Sequence, residues 1–151
     1  MAVLRIKFES DAGEVAERMR RWGTDDVLRR REEFVRGATE FAVNQAVERT
    51  PVREARARGS WVKSLVELGG VPPADWEGSH PNAAAVIEGE ESGDVTHSSQ
   101  STLTEYRVTS RVRYINYLEY GTRKMDPFAM VRESLAATAE MVRWWDFLAE
   151  L

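Results

Sequence analysis

The sequence predicts an α+β fold, a small mixed or antiparallel β-sheet packed on a long helix and a C-terminal helix. Three observations lead there. Apolar and polar residues alternate near the start of the chain and again from Leu103, the period of a half-buried strand. Apolar residues recur at three- and four-residue steps from Val27 to Ala42 and after Val131, the period of a helix. The resulting order of strand, helices, strands and helix suits a sheet with its helices on one face. At 151 residues the chain is one domain long, and folding at that size buries roughly two thirds of the unfolded surface.

The elements follow in order. Val3, Leu4, Ile6 and Phe8 alternate incompletely with Arg5 and Lys7 and predict an opening strand. Ser10-Asp11 supplies a cap for a short helix carrying Val15, Met19 and Trp22 on one face, which Gly23 ends. Thr24 or Asp25 caps the longest element, whose apolar positions Val27/Leu28, Phe34/Val35, Ala38 and Phe41/Ala42 keep helical spacing up to Thr50-Pro51. Trp61, Val62, Leu65, Val66 and Leu68 fit a strand or a short helix equally. Gly69-Gly70 and Pro72-Pro73 break the chain, and Pro81 opens a small helix from Asn82 to Glu88. Residues 89–101, acidic at first and rich in Ser and Gly, read as a long mobile loop.

Tyr106, Val108, Ser110, Val112 and Tyr114 then share one strand face, with Arg107, Thr109, Arg111 and Arg113 on the other. The strand-like run continues to Gly121, where a positive φ is expected at the turn; Asn would replace glycine there more gently than Val if the turn is left-handed. On such a strand Tyr114 and Tyr117, three apart, face opposite sides. A helix starts around Pro127 and carries Val131, Leu135, Thr138, Val142, Trp145 and Leu148 as its stripe.

Composition bounds the function. With 42% apolar and 30% charged residues the chain is an ordinary globular one, not a disordered or membrane chain. No stretch approaches the roughly 20 apolar residues of a membrane helix, and Met1 to Phe8 is too charged for a signal peptide, so a cytoplasmic protein is expected. The absence of cysteine removes disulfides and thiolate chemistry. Residues 1–60 hold 13 basic and 11 acidic side chains and residues 61–151 hold 8 and 14, leaving +2 and −6. A protein that grips duplex DNA more usually carries a basic surplus.

Catalysis is not expected. His80 and His97 are the only histidines, neither lies in a metal-ligand spacing, and no phosphate loop, nucleophile elbow or paired-carboxylate motif is present. No cofactor and no metal is expected. A small regulator would need a basic recognition helix, and Glu32 and Glu33 interrupt the charge of Arg29-Arg30-Arg31 and Arg36. A toxin or antitoxin partner would share this size and charge.

Two stretches carry a resemblance. Arg56-Ala57-Arg58-Gly59-Ser60-Trp61-Val62-Lys63-Ser64-Leu65, and the run from Val108-Thr-Ser-Arg-Val-Arg-Tyr114 through Tyr117-Leu-Glu-Tyr-Gly-Thr122 to the helix start Pro127-Phe-Ala-Met130, are similar in order to elements of a phage family. It is the tail-component family of long-tailed bacteriophages typified by gene product ten of the HK-type lambdoid phages. The match spans about residues 25–145 and omits the strand and helix of residues 1–23. The resemblance implies a tail-completion or tail-terminator protein of the virion, assembled in the host cytoplasm. Its expected form is a homo-oligomer, a hexameric ring at the head-tail junction between tail-tube and neck proteins, with DNA passing through the lumen without sequence-specific binding. A head-side closure protein is the neighbouring alternative.

Subunit contacts in such a ring are expected from residues of uneven charge or large exposed area. Arg53, Arg56 and Arg58 either stay solvated or meet Glu88, Glu90, Glu91 and Asp94 of a neighbour, since a head-to-tail ring needs two different complementary surfaces. Glu119 is either an exposed carboxylate or turn acceptor, or a bridge to the next subunit. Trp61, Trp144 and Trp145 are core residues by default, but adjacent tryptophans cannot share one stripe. Trp144 is the candidate interface anchor, and Gly121 the structural turn.

Overall fold

A computed structural model of the chain describes residues 1–9, 24–53 and 55–143. Among them β1 (Ala2–Glu9), α1 (Thr24–Arg49), α2 (Arg56–Glu67), α3 (Ala83–Glu91), β2 (Gly93–Ser99), β3 (Leu103–Ser110), α4 (Ile115–Tyr120) and α5 (Met130–Arg143) follow in order. The strands form one antiparallel sheet in the order β1-β3-β2, so the α+β expectation holds. The helix expected over residues 10–23 and the tryptophans Trp144 and Trp145, with Leu148, lie outside the described residues.

Register follows from burial. Leu4 faces Val108 and Ile6 faces Tyr106 across β1 and β3, while Val95 and His97 face the same two residues from β2. These side chains turn toward the helices, and Thr104, Tyr106, Val108 and Ser110 of the central strand are all buried. Slipping the register by one residue would turn Arg5 and Lys7 into the core. On the wet face Arg5 reaches Glu105 at 2.7 Å, and that hydrogen bond draws the Glu105 carboxyl below the usual carboxylate value.

α1 was legible at both ends. Its 26 residues make a rod of about 39 Å, with Val27, Phe34, Val35, Ala38, Ala42, Val43, Ala46 and Val47 buried along one side. Beyond its last turn the carbonyl of Thr50 takes two bonds from Arg58, from Nε at 3.0 Å and Nη2 at 2.7 Å. A cation at a helix C-terminus is favoured by the dipole and occupies a carbonyl left without a helical partner.

The ambiguous segment around Trp61 is a helix. α2 buries Ala57, Gly59, Ser60, Trp61, Val62, Ser64 and Leu65, more than half its circumference, because it touches α1, α3 and the sheet together. An enclosed helix shows no clean stripe. Trp61 is fully buried as expected.

Residues 89–101 are corrected. They are not a loop: α3 continues to Glu91 and β2 occupies Gly93–Ser99. Gly89 and Gly93 are close-approach residues, since a Cβ would stand 2.3 Å from the Arg56 carbonyl oxygen at Gly89 and 2.2 Å from that of Ser60 at Gly93. Backbone this close to backbone leaves room for hydrogen only. β2 is an edge strand whose outer positions meet water, so it needs no apolar run.

The strand-like run to Gly121 is also corrected. β3 ends at Ser110, and Ile115–Tyr120 is helix α4. Ile115, Leu118 and Glu119 are its buried residues, at the three- and four-residue steps of a helix rather than the two-residue step of a strand. Tyr114 therefore precedes a helix and Tyr117 lies on one, exposed.

Replacing Trp61 by Ala is expected to cost about 3–5 kcal/mol by the precedent of aromatic truncations in cores. Trp61→Phe is expected to cost clearly less, because the indole N–H has no acceptor among the described residues and its removal relieves an unpaired buried donor. Chemical denaturation of both variants checks the ranking.

Candidate functional site: the corner fastened by Glu119

The chain turns sharply between α4 and α5, and one carboxylate fastens the turn. Ile115 and Leu118 anchor α4 in the core, which carries the next residue, Glu119, inside as well. Glu119 Oε2 accepts from the Val131 amide at 2.7 Å, and Oε1 from the Arg132 amide at 3.1 Å and from Arg132 Nε at 3.0 Å. Arg132 Nη2 returns a bond of 2.9 Å to the Glu119 carbonyl. The carboxylate thus takes two amides of the first turn of α5, where the helix dipole favours negative charge.

Local sequence explains why the cap comes from 12 residues away. Ala129, whose carbonyl takes the first helical bond from the Glu133 amide, has φ 48° and a side chain that cannot accept a hydrogen bond. Without a capping side chain of its own, the helix start is completed by Glu119. Burying that carboxylate, 3% exposed, is tolerable because both oxygens are bonded and a guanidinium is paired with it.

Residues 121–128 fold back over the end of α4. The Phe128 amide donates to the Leu118 carbonyl at 2.8 Å, and the Thr122 amide donates to the Met125 carbonyl at 2.8 Å. Gly121 has the expected positive φ, 76°, but its ψ is −177°. That is not the left-handed helical region; it is a region essentially reserved for glycine. A Cβ would also stand 2.7 Å from the Met125 carbonyl oxygen and 2.9 Å from Pro127 N. The expectation that Asn would be milder than Val there rested on a left-handed turn, and this backbone region removes its ground.

Outside this fastening the corner shows large side chains to water. Tyr117 and Tyr120 are 60% and 67% exposed and Phe128 43%. The Arg132 guanidinium lies 5.3 Å from the Tyr120 ring centroid, within cation–π range. Arg123 and Lys124 sit exposed at the tip of the turn.

The structure separates the other expected contact residues. Arg56 Nε meets Glu88 Oε2 of the same chain at 3.0 Å, a consequence of the Gly89 contact that brings α3 against the start of α2. Arg58 is spent on the Thr50 carbonyl, and its guanidinium is drawn below the ordinary arginine value by burial, with Asp75 opposing. Asp94 lies 3.5 Å from Arg111. Arg53 and Glu91 are exposed and Glu90 is partly exposed. The reading of Arg56 and Glu88 as partners across a ring is therefore corrected, as is Glu119 as a bridge to a neighbour. Trp144 lies outside the described residues, and Gly121 is the structural turn expected.

Sequence reasoning missed Arg31. It is buried and donates from Nε to Thr104 Oγ1 at 3.0 Å, from Nη1 to the Ser101 carbonyl at 3.0 Å and from Nη2 to the Gln100 carbonyl. Burial lowers its pKa from the ordinary arginine value while Glu32 opposes the shift. Its place four residues after Val27 and three and four before Phe34 and Val35, all buried, was the available signal. Beside it His97 stacks on Tyr106 at 4.4 Å, with Nε2 3.3 Å from Glu32.

Among the described residues no group of three or more His, Asp or Glu side chains is arranged to hold a metal. No helix there is long and apolar enough to cross a membrane. Comparison with family models, curated proteins and solved structures finds no match to the chain in any of the three.

Glu119→Ala is expected to destabilise the fold by about 3 kcal/mol, since it removes charged hydrogen bonds and leaves one buried and one part-buried amide without an acceptor. Glu119→Gln, which keeps one acceptor oxygen, is expected to lose about half as much; urea titration of both variants reads the difference. At Gly121 the variants to Ala, Asn and Val are all expected to lose at least about 1–3 kcal/mol of stability. An Asn variant that melts like the wild type would contradict the assigned backbone region.

Proposed function

We propose that the chain is a structural protein of a long-tailed bacteriophage, a tail terminator or tail-completion protein that closes the tail tube at the head-tail junction. The observation that carries this reading is the stretch Tyr114 to Met130. Its residues resemble the tail-component signature, and they build one fastened corner whose buried member, Glu119, holds two helices together. Around it the aromatic side chains Tyr117, Tyr120 and Phe128 are turned outward. A rigid support under exposed aromatic side chains suits assembly, because Tyr and Trp anchors dominate protein contacts.

In this role the protein is a ring, a hexamer by the resemblance, with one face toward tail-tube subunits and the other toward the neck. The net charge of −4 lets DNA pass a lumen lined by carboxylates without adhering. Head-side closure is the neighbouring alternative, separated by its consequence. Loss of a terminator gives tails of abnormal length that do not join filled heads. Loss of a closure protein gives heads that leak DNA beside tails of normal length.

Electron micrographs of lysates from a phage with an early stop codon in this gene are expected to show tails of abnormal length and unattached heads. Infectious particles in normal number would overturn both readings.

A further inference from the structure

Two exposed surfaces of this chain are complementary, and both keep large side chains or charges in water. The first is the corner, where Tyr117, Tyr120 and Phe128 are exposed and Arg123 and Lys124 project from the turn. No salt bridge neutralises Arg123 or Lys124 among the described residues. The second is the outer face of α3. Ala84, Ile87 and Glu91 stand at three- and four-residue steps along it, all exposed, while Ala85 and Gly89 on the opposite face are buried. Ile87 is 56% exposed, and Glu91 has no ion pair among the described residues. Glu88, on the same face, is already held by Arg56.

We propose that the Tyr117–Tyr120–Phe128 corner of one copy docks on the Ala84–Ile87–Glu91 face of α3 of the next copy. This rests on the ring reading above and names its contact surfaces. The chemistry matches on each side. Ile87 and Ala84 offer an apolar strip for the aromatic rings, and Glu91 offers an unpaired carboxylate to the unpaired cations of the turn. The surfaces share no residue and belong to different elements, which lets the contact run head-to-tail and repeat from copy to copy, as a ring requires; closure as a two-fold dimer would instead stop at two copies. It replaces the pairing of residues 53–58 with 88–94, whose central members, Arg56 and Glu88, are consumed inside the chain.

The test uses two full-length variants, each spoiling one surface with an added carboxylate at an exposed helical position, Tyr120→Glu and Ile87→Glu. Circular dichroism confirms that each folds, and Lys124→Glu with Ala84→Glu provides a second pair on the same surfaces. In native mass spectrometry over a concentration series the wild type is expected to form species larger than a dimer, and each variant alone to remain monomeric. An equimolar mixture is expected to stop at a 1:1 heterodimer, because only one intact pair of surfaces remains between the two variants. A wild type that stays monomeric, a variant that assembles like the wild type, or a mixture with no heterodimer overturns the proposal. If Tyr120→Glu keeps self-association but loses incorporation into virions, the corner binds a different protein and the proposal also fails. Failure of the tail reading looks different: the heterodimer forms, yet phage with the stop codon assemble normally.

Discussion

Contact without side chains between α2 and the segment that follows it sets the layout of the domain. The carbonyls of Arg56 and Ser60, one helical turn apart on α2, are met by Gly89 and Gly93, four residues apart on the approaching chain. Any larger residue at either position would push α3 or β2 off the helix by an ångström or more. With both seated, β2 leaves α2 beside β3 and becomes an edge of the sheet. Gly93 pairs with Ser110, and Ser110 Oγ lies 2.7 Å from Ser60 Oγ, so the end of the central strand is tied to the same turn of α2. Trp61, next in sequence, is fully buried in the core. Tight packing of this kind fixes neighbours firmly because interiors hold few voids.

Most of the scaffold was legible where one face of an element is wet. β1, β3 and α1 each bury one side, and the apolar period appears in their residues. The sequence was silent where this condition fails. α2 is enclosed, so strand and helix fit it equally. β2 carries Thr96, Ser98 and Ser99 because an edge strand needs little apolar surface, and it reads as loop. Gly89 and Gly93 look like chain breaks, although they serve close approach. At the corner, Ile115, Leu118 and Glu119 carried the helical step, but their aromatic neighbours completed an apparent strand. Glu119 itself could not be placed from sequence. Its partners are amides 12 and 13 residues away, and no residue-type pattern marks a backbone donor.

Charge is distributed differently inside and outside the molecule. The buried guanidinium of Arg31 and the half-buried one of Arg58 are bonded mainly to carbonyls, so each is satisfied by dipoles and not by a carboxylate. Such bonds hold a loop and a helix end at fixed places without a second buried charge, which would add its own desolvation cost. Glu119 with Arg132 is the exception, and there the cation remains half in water. The surface pairs Arg5 with Glu105, Lys63 with Glu67 and Arg111 with Asp94 are screened and weak. They leave Arg123, Lys124 and Glu91 among the exposed charges that have no ion pair within the described residues.

The pairing of the first strand has a consequence for how the protein comes into being. Arg5 and Glu105 lie side by side although 100 residues separate them. On a ribosome, β1 is made well before β3, its only neighbour in the sheet among the described residues, and must wait until β3 has left the exit tunnel. Helices α1 to α3 can collapse together during that interval, because their contacts are closer in sequence. Closing the sheet is then a late step with a large loop to span, and contacts of this separation slow folding. Until it closes, the nascent chain exposes a strand of alternating apolar residues, with Arg5 and Lys7 as the charges that discourage pairing with another copy.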